Sequence, residues 1–298
     1  MVQIKKVIEE NYSIKIDKIY LDKKGEKYFF INDRKIYIKE INEEILKVVN
    51  NLVELSNTMY NEKKPTETFL LSKNGKYIID YKNKKMALLM VNDAENIELD
   101  YLNIINNMIK VDKNEIRKYN GYNEWEEKVD MLENKIIEYN KEYSMIMKYV
   151  NYYIGLAENA IQLIKETDFG DNKYLGHLLP ENIYEYKNYA NPLLYVETMK
   201  TFDIASYFRY CFYNDKINYD ELEKMKLLLD NENDKKQFLA IIMYPREIIE
   251  NIENILNEKE EEKKVNEYFL KTDRFEKFIA YVQYNIINAN YIKWLEDN

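Results

Sequence analysis

The stretch Asp168–Arg209 reads DFGDNKYLGHLLPENIYEYKNYANPLLYVETMKTFDIASYFR, and its centre, Gly176-His177-Leu178-Leu179-Pro180-Glu181-Asn182-Ile183, decides how the rest of the chain is read. It contains the one histidine of the 298 residues. It also interrupts a chain whose other periodicities, from residue 96 onward, are almost wholly helical. Upstream, Trp125, Val129, Leu132, Ile136 and Tyr139 follow one another at spacings that keep them on one face of a long helix. Glu142–Ile164 continues as a second helix that is apolar on several sides, which predicts a central position. Downstream, helices are expected at Phe202–Tyr213, Tyr219–Leu229, Lys235–Met243 and Pro245–Leu256, with Pro245 as a tolerated first residue. The run Asn257–Lys264 reads as a solvated helix end or loop. A last helix carries Phe275, Phe278, Val282, Ile286 and Trp294.

Residues 1–95 obey a different period. Ile14–Leu21 alternates and is followed by the turn Asp22-Lys23-Lys24-Gly25, where glycine supplies a positive φ. Tyr28–Ile31 and Lys35–Lys39 are expected as strands around an Asn32-Asp33 turn. The period then switches to 3.6 over Glu43–Met59, with Leu46, Val49, Leu52 and Val53 on one face. It returns to strands over Thr68–Ser72, Lys76–Tyr81 and Lys85–Val91. Strands, one helix, then strands followed by a helical remainder predict an α+β chain: an N-terminal lobe over 1–95, a hinge, and a helical lobe over 96–298 containing the segment 168–209. A helical adaptor without a sheet is the competing architecture, and it fails if 14–91 forms a sheet.

Composition narrows the function classes. Hydrophobic residues make up 46% and charged residues 33%, a globular balance and not a disordered one. No run of 18 apolar residues exists to span a membrane, and MVQIKKVIEE has no apolar core for a signal peptide. A single cysteine, Cys211, allows no internal disulfide and fits a reducing interior. The net charge is −9, unevenly divided: residues 1–95 hold 18 basic and 15 acidic side chains, the remainder 26 and 38. That acidic remainder disfavours nucleic acid and anionic substrates and suits cationic ones.

The central loop resembles the catalytic loop of the aminoglycoside-phosphotransferase-like kinases, His-Gly-Asp-Leu-His-Pro-x-Asn-Ile. Aligned on Pro180 and Asn182, His177 stands where that family has its catalytic Asp and Leu175 where it has the leading His. Asp203-Ile204-Ala205-Ser206-Tyr207-Phe208-Arg209 resembles the family's Asp-Leu-Ala helix start. The resemblance implies a bilobal protein-kinase-like fold. It also implies that Lys39, at the end of the third strand, is the phosphate-pairing lysine, with Glu43, Glu44 or Glu54 as its helix partner and Glu44 preferred. Asn182 matches the magnesium-binding Asn. The second metal ligand has no clean match: Leu194-Tyr195-Val196-Glu197 reads either as a displaced Ile-Asp, making Glu197 the ligand, or as an apolar strand with none. Asp203 and Arg209 are expected to be structural.

Within that superfamily the length, the Tyr-x-Leu-Lys-like strand end and the Asp203–Arg209 helix resemble the spore coat protein S type branch. The resemblance implies a pseudokinase that acts as a structural or assembly protein in bacterial endospore coat formation. Such a protein is made in the cytoplasm, is not secreted, has other coat proteins as partners and needs no cofactor. The rival reading is an active phosphotransferase on a small hydroxylated or cationic molecule, which would use ATP and Mg²⁺ with Lys39, His177 or a displaced carboxylate, and Asn182.

Overall fold

The computed structural model describes residues 2–22, 25–92, 101–106, 108–111, 116–119, 121–139, 143–168, 173–178, 189–257 and 261–297. The chain divides into two compact units, one of residues 1–118 with 177–197, the other of residues 119–176 with 198–298. The division expected near residue 95 is therefore replaced by one after Lys118, and His177–Glu197 returns to the first unit.

The first unit is built on an antiparallel sheet. Its strands are β1 (Tyr20–Leu21), β2 (Lys27–Ile31), β3 (Arg34–Ile41), β4 (Thr68–Phe69), β5 (Ile78–Tyr81) and β6 (Lys84–Met90), ordered β1-β2-β3-β6-β4 with β5 also on β6; a short helix α3 (Tyr101–Asn106) and a short strand β7 (Lys110–Val111) follow. Asn32 and Asp33 both take positive φ, 46° and 64°, so a two-residue turn closes β2 on β3 with Ile31 opposite Arg34. The helical adaptor is thereby excluded. Alternation along β3 and β6 sends Ile36, Ile38, Met86 and Leu88 to one face, where helix α1 (Val2–Tyr12) covers them with Ile4 and Ile8. Helix α2 (Glu43–Asn61) begins at Asn42, whose side chain accepts from the Ile45 amide at 2.8 Å, and buries Ile45, Val49, Leu52, Val53, Ser56 and Met59.

Ile14–Leu21 is not a strand; only Tyr20–Leu21 pairs, because the Ile16 amide donates to the Glu9 carboxylate of α1 at 2.8 Å, in place of a strand carbonyl. Ile16 and Ile19 still enter the core, so the alternation marked burial without marking a ladder. Helix α1 itself was not expected, since its apolar residues are few and only the Ile4–Ile8 spacing signals it.

The second unit is helical around α5 (Ser144–Lys165), which buries residues on several sides, among them Val150, Tyr153, Ala157, Ala160, Ile161 and Ile164. Helix α4 (Gly121–Tyr139) packs on it through the expected stripe: Trp125, Val129, Leu132 and Ile136 are all buried. Leu132→Ala is therefore expected to cost about 3 kcal/mol; an unchanged urea midpoint would place that face outside the core. Further helices are α6 (Phe202–Tyr213), α7 (Tyr219–Glu223), α8 (Glu232–Met243), α9 (Arg246–Leu256), α10 (Lys263–Phe269) and α11 (Thr272–Tyr281). Pro245 is the residue before α9 and not its first. The last expected helix is broken: α11 passes into a π-helical turn, Val282–Ile287, that ends at Asn288 with φ 54°. Buried Gln283 holds the chain that follows, accepting from the Tyr291 and Ile292 amides at 3.1 and 2.8 Å.

Candidate functional site

The two-residue Asn32-Asp33 turn fixes what lies across from Lys39. Running the β2–β3 register back from Ile31–Arg34 brings Lys27 opposite Ile38, and one step further brings Glu26 opposite Lys39. Cross-strand neighbours of opposite charge attract, and the structure has Lys39 Nζ 2.5 Å from Glu26 Oε1, with the lysine only 8% exposed. The helix carboxylate expected to pair with it is elsewhere. Glu44 lies in the exposed first turn of α2 and faces Arg117 Nη1 at 3.6 Å. Glu43 and Glu54 also lie on exposed positions of α2. The lysine–helix pair is therefore replaced by a pair with the residue just before β2, and a cavity of about 660 Å³ borders Lys39, Glu26, Gly25 and Lys84.

The sheet face that carries Lys39 is paved with rings. Tyr28 lies 5.9 Å from Tyr37 and 5.4 Å from Tyr20, and the Lys39 ammonium sits 4.8 Å from the Tyr37 ring. Tyr37, two residues before Lys39, is buried with Val91 and Ala190.

His177 ends strand β8 (Lys173–His177) and is 1% exposed. Its ring stacks on Tyr189 at 4.0 Å and meets Tyr195 edge-on at 5.1 Å. Tyr195 in turn donates to Thr66 Oγ1 at 3.0 Å, so the clamp is fixed from behind. An imidazole in this setting is a packed ring of the first unit's core. Asn182 lies outside the described residues.

Glu197 is in strand β9 (Tyr195–Thr198) and is 3% exposed. Its amide donates to the Arg117 carbonyl at 2.6 Å. Leu194 belongs to the preceding 3₁₀ turn, Pro192–Leu194. The run is an apolar strand that carries a buried carboxylate. Arg117, not singled out in the sequence, organises the neighbourhood by donating to the Leu193 carbonyl at 2.6 Å while facing Glu44. Among the described residues no group of three or more His, Cys, Asp or Glu side chains is gathered to hold a metal ion.

In the second unit Gly176 has a packing reason. A Cβ there would lie 2.2 Å from Thr198 Cγ2 and 3.2 Å from Phe202 Cδ1. Gly176→Ala is expected to destabilise by about 1–3 kcal/mol, read as a lowered denaturation midpoint; an unshifted midpoint would mean that β8 and the Thr198–Phe202 segment separate easily. Asp203 sits in the first turn of α6, where the helix dipole favours an anion, and is 8% exposed. Arg209, on the same helix, is 4% exposed and binds Glu247 through Nε at 3.0 Å and Nη2 at 3.1 Å, while Nη1 donates to the Ile241 carbonyl. It thereby joins α6 to α8 and α9.

An antiparallel sheet with α2 inserted between β3 and β4, followed by a helical unit, is the kinase-like fold of the aminoglycoside phosphotransferases. The aminoglycoside phosphotransferase of Alicyclobacillus acidocaldarius matches with a TM-score of 0.69 at 9% identity, over 94% of this chain and 95% of that one. Spectinomycin phosphotransferase APH(9)-Ia, in complex with ADP and spectinomycin, matches with a TM-score of 0.58 at 14% identity, over 96% and 95%. At such identities the likeness is one of fold. The family described as "Spore coat putative kinase YutH" matches residues 5–282, and the chain belongs to that family. None of the curated proteins matches it.

Proposed function

We propose that the chain is a pseudokinase, a kinase-like fold that serves as a binding or assembly module in endospore coat formation and does not transfer phosphate. The observation that carries this reading is the His177 clamp. A general base must come within hydrogen-bond reach of the substrate hydroxyl, whereas the side chain aligned with the catalytic Asp is closed between Tyr189 and Tyr195 at 1% exposure. The phosphate-pairing position supports it, since the charge of Lys39 is already answered by Glu26. The donor set expected for magnesium, Asn182 and Glu197, offers one amide and one carboxylate. That is a poor fit to an ion that prefers an octahedral shell of hard oxygens. The family description accords with the spore coat as destination, and other coat proteins are the partners this reading proposes.

The second reading, a working small-molecule phosphotransferase, rests on Glu197, a carboxylate in the strand after the loop. Titration calorimetry with ATP, with and without magnesium, beside a phosphate-release assay separates the two. The pseudokinase is expected to bind ATP weakly and almost independently of magnesium, and to release no phosphate. Tight, magnesium-dependent binding with turnover would replace it with the phosphotransferase, and Glu197→Gln would then be the first variant to lose activity.

A further inference from the structure

The first unit has a second cavity, of about 500 Å³, on the α1 side of the sheet. Its walls are mostly apolar: Ile14, Ile31, Leu70 and Met90 are half-buried along it, and Leu71 is 54% exposed. Besides the exposed Asn32 of the turn, two polar groups face the same space. The Tyr12 hydroxyl, at the end of α1, is buried without a hydrogen-bond partner. Burial pushes this phenol up to about 12, so it remains a donor at neutral pH. Arg34, the first residue of β3, has the Met90 sulfur at 3.6 Å as its polar contact, and no carboxylate among the described residues pairs with it. In a chain of net charge −9, no described carboxylate answers this guanidinium beside an apolar hollow.

We propose that this cavity binds a small amphiphilic carboxylate, with an aliphatic body against the apolar walls, its anionic end on Arg34 and an acceptor oxygen within reach of the Tyr12 hydroxyl. Each part answers an observation. A wholly apolar ligand would leave both polar groups as they are, and a bare anion would leave Leu71 and its neighbours wet. A peptide strand is disfavoured because the bounding backbone is already engaged: Ile31 pairs with Arg34, Ile36 with Met90, and the Leu70 amide donates to Leu88 at 2.9 Å. The volume lies within the usual range of small-molecule sites, roughly 300–1,000 Å³.

The probe is sodium decanoate below its micellar concentration, titrated into the full chain, with decan-1-ol as the uncharged comparison. ¹³C-methyl labelling of the methionines provides a local readout. Saturable one-site binding is expected, with decanoate preferred over decanol and the Met90 methyl shifting while that of Met59 stays. Arg34→Met should weaken decanoate about tenfold or more, and Tyr12→Phe by about threefold to tenfold. Tyr12→Phe removes a hydroxyl that has no partner, so the fold should keep its stability and the variant remains informative if Arg34→Met does not fold. Decanoate binding no tighter than decanol, equal affinity in both variants, or an unmoved Met90 methyl would each overturn the proposal.

Discussion

Replacing His177 with aspartate is expected to destabilise the first unit by about 3–5 kcal/mol and to create no phosphate release. The aligned catalytic residue would be restored in sequence, but the position it enters is 1% exposed and walled by Tyr189 and Tyr195. A carboxylate there loses its water, and the removed ring leaves a void between the tyrosines. Burial favours the neutral acid, so the new carboxyl would titrate above the unfolded value of about 3.9. The folded state holds that proton more tightly than the unfolded state, so the loss is smallest below about pH 4, grows as pH rises from the unfolded value through the folded-state pKa, and then levels off. Urea denaturation of parent and variant at acid and neutral pH measures it. His177→Phe, which keeps a ring in the clamp, should lose less. A His177→Asp protein as stable as the parent, or one that turns over ATP, would mean that this side chain faces solvent and would sink the packing argument.

Arg209→Ala is expected to cost a similar amount, about 3–5 kcal/mol, and to lower the thermal midpoint without a special dependence on ATP. Arg209 is 4% exposed, and its fork is divided between the Glu247 carboxylate and the Ile241 carbonyl near the end of α8. Alanine would strand a half-buried carboxylate and leave that carbonyl without its donor, which costs more than the pair itself contributes. Arg209→Lys should fall between, because an ammonium cannot reproduce the two parallel bonds to Glu247. A loss under about 1 kcal/mol, the size of an exposed ion pair, would show that Glu247 rehydrates freely and that the link is dispensable.

Much of this was legible from the order of residues because it depends on period and punctuation. The change from alternation to a 3.6 spacing at Glu43 marked α2 between strands. The stripe from Trp125 marked α4, and the all-round apolar run after it marked α5 as central. Even the partner of Lys39 was implicit, since the Asn32-Asp33 turn fixes a register that sets Glu26 across from it. A helix carboxylate as its partner follows from the family resemblance and not from this register. What the tertiary structure alone decided is which polar groups are enclosed. Nothing in the residues around His177 tells that Tyr189 and Tyr195, twelve and eighteen positions on, close over it. Nor could Gly176 be assigned to close packing, because Thr198 and Phe202 meet it only once β8 and the start of α6 come together. Local spacing fixes a backbone through nearby hydrogen bonds and turn geometry. Burial of a side chain is set by atoms distant in sequence, and so the chemistry left to His177 and Lys39 became visible only in the folded chain.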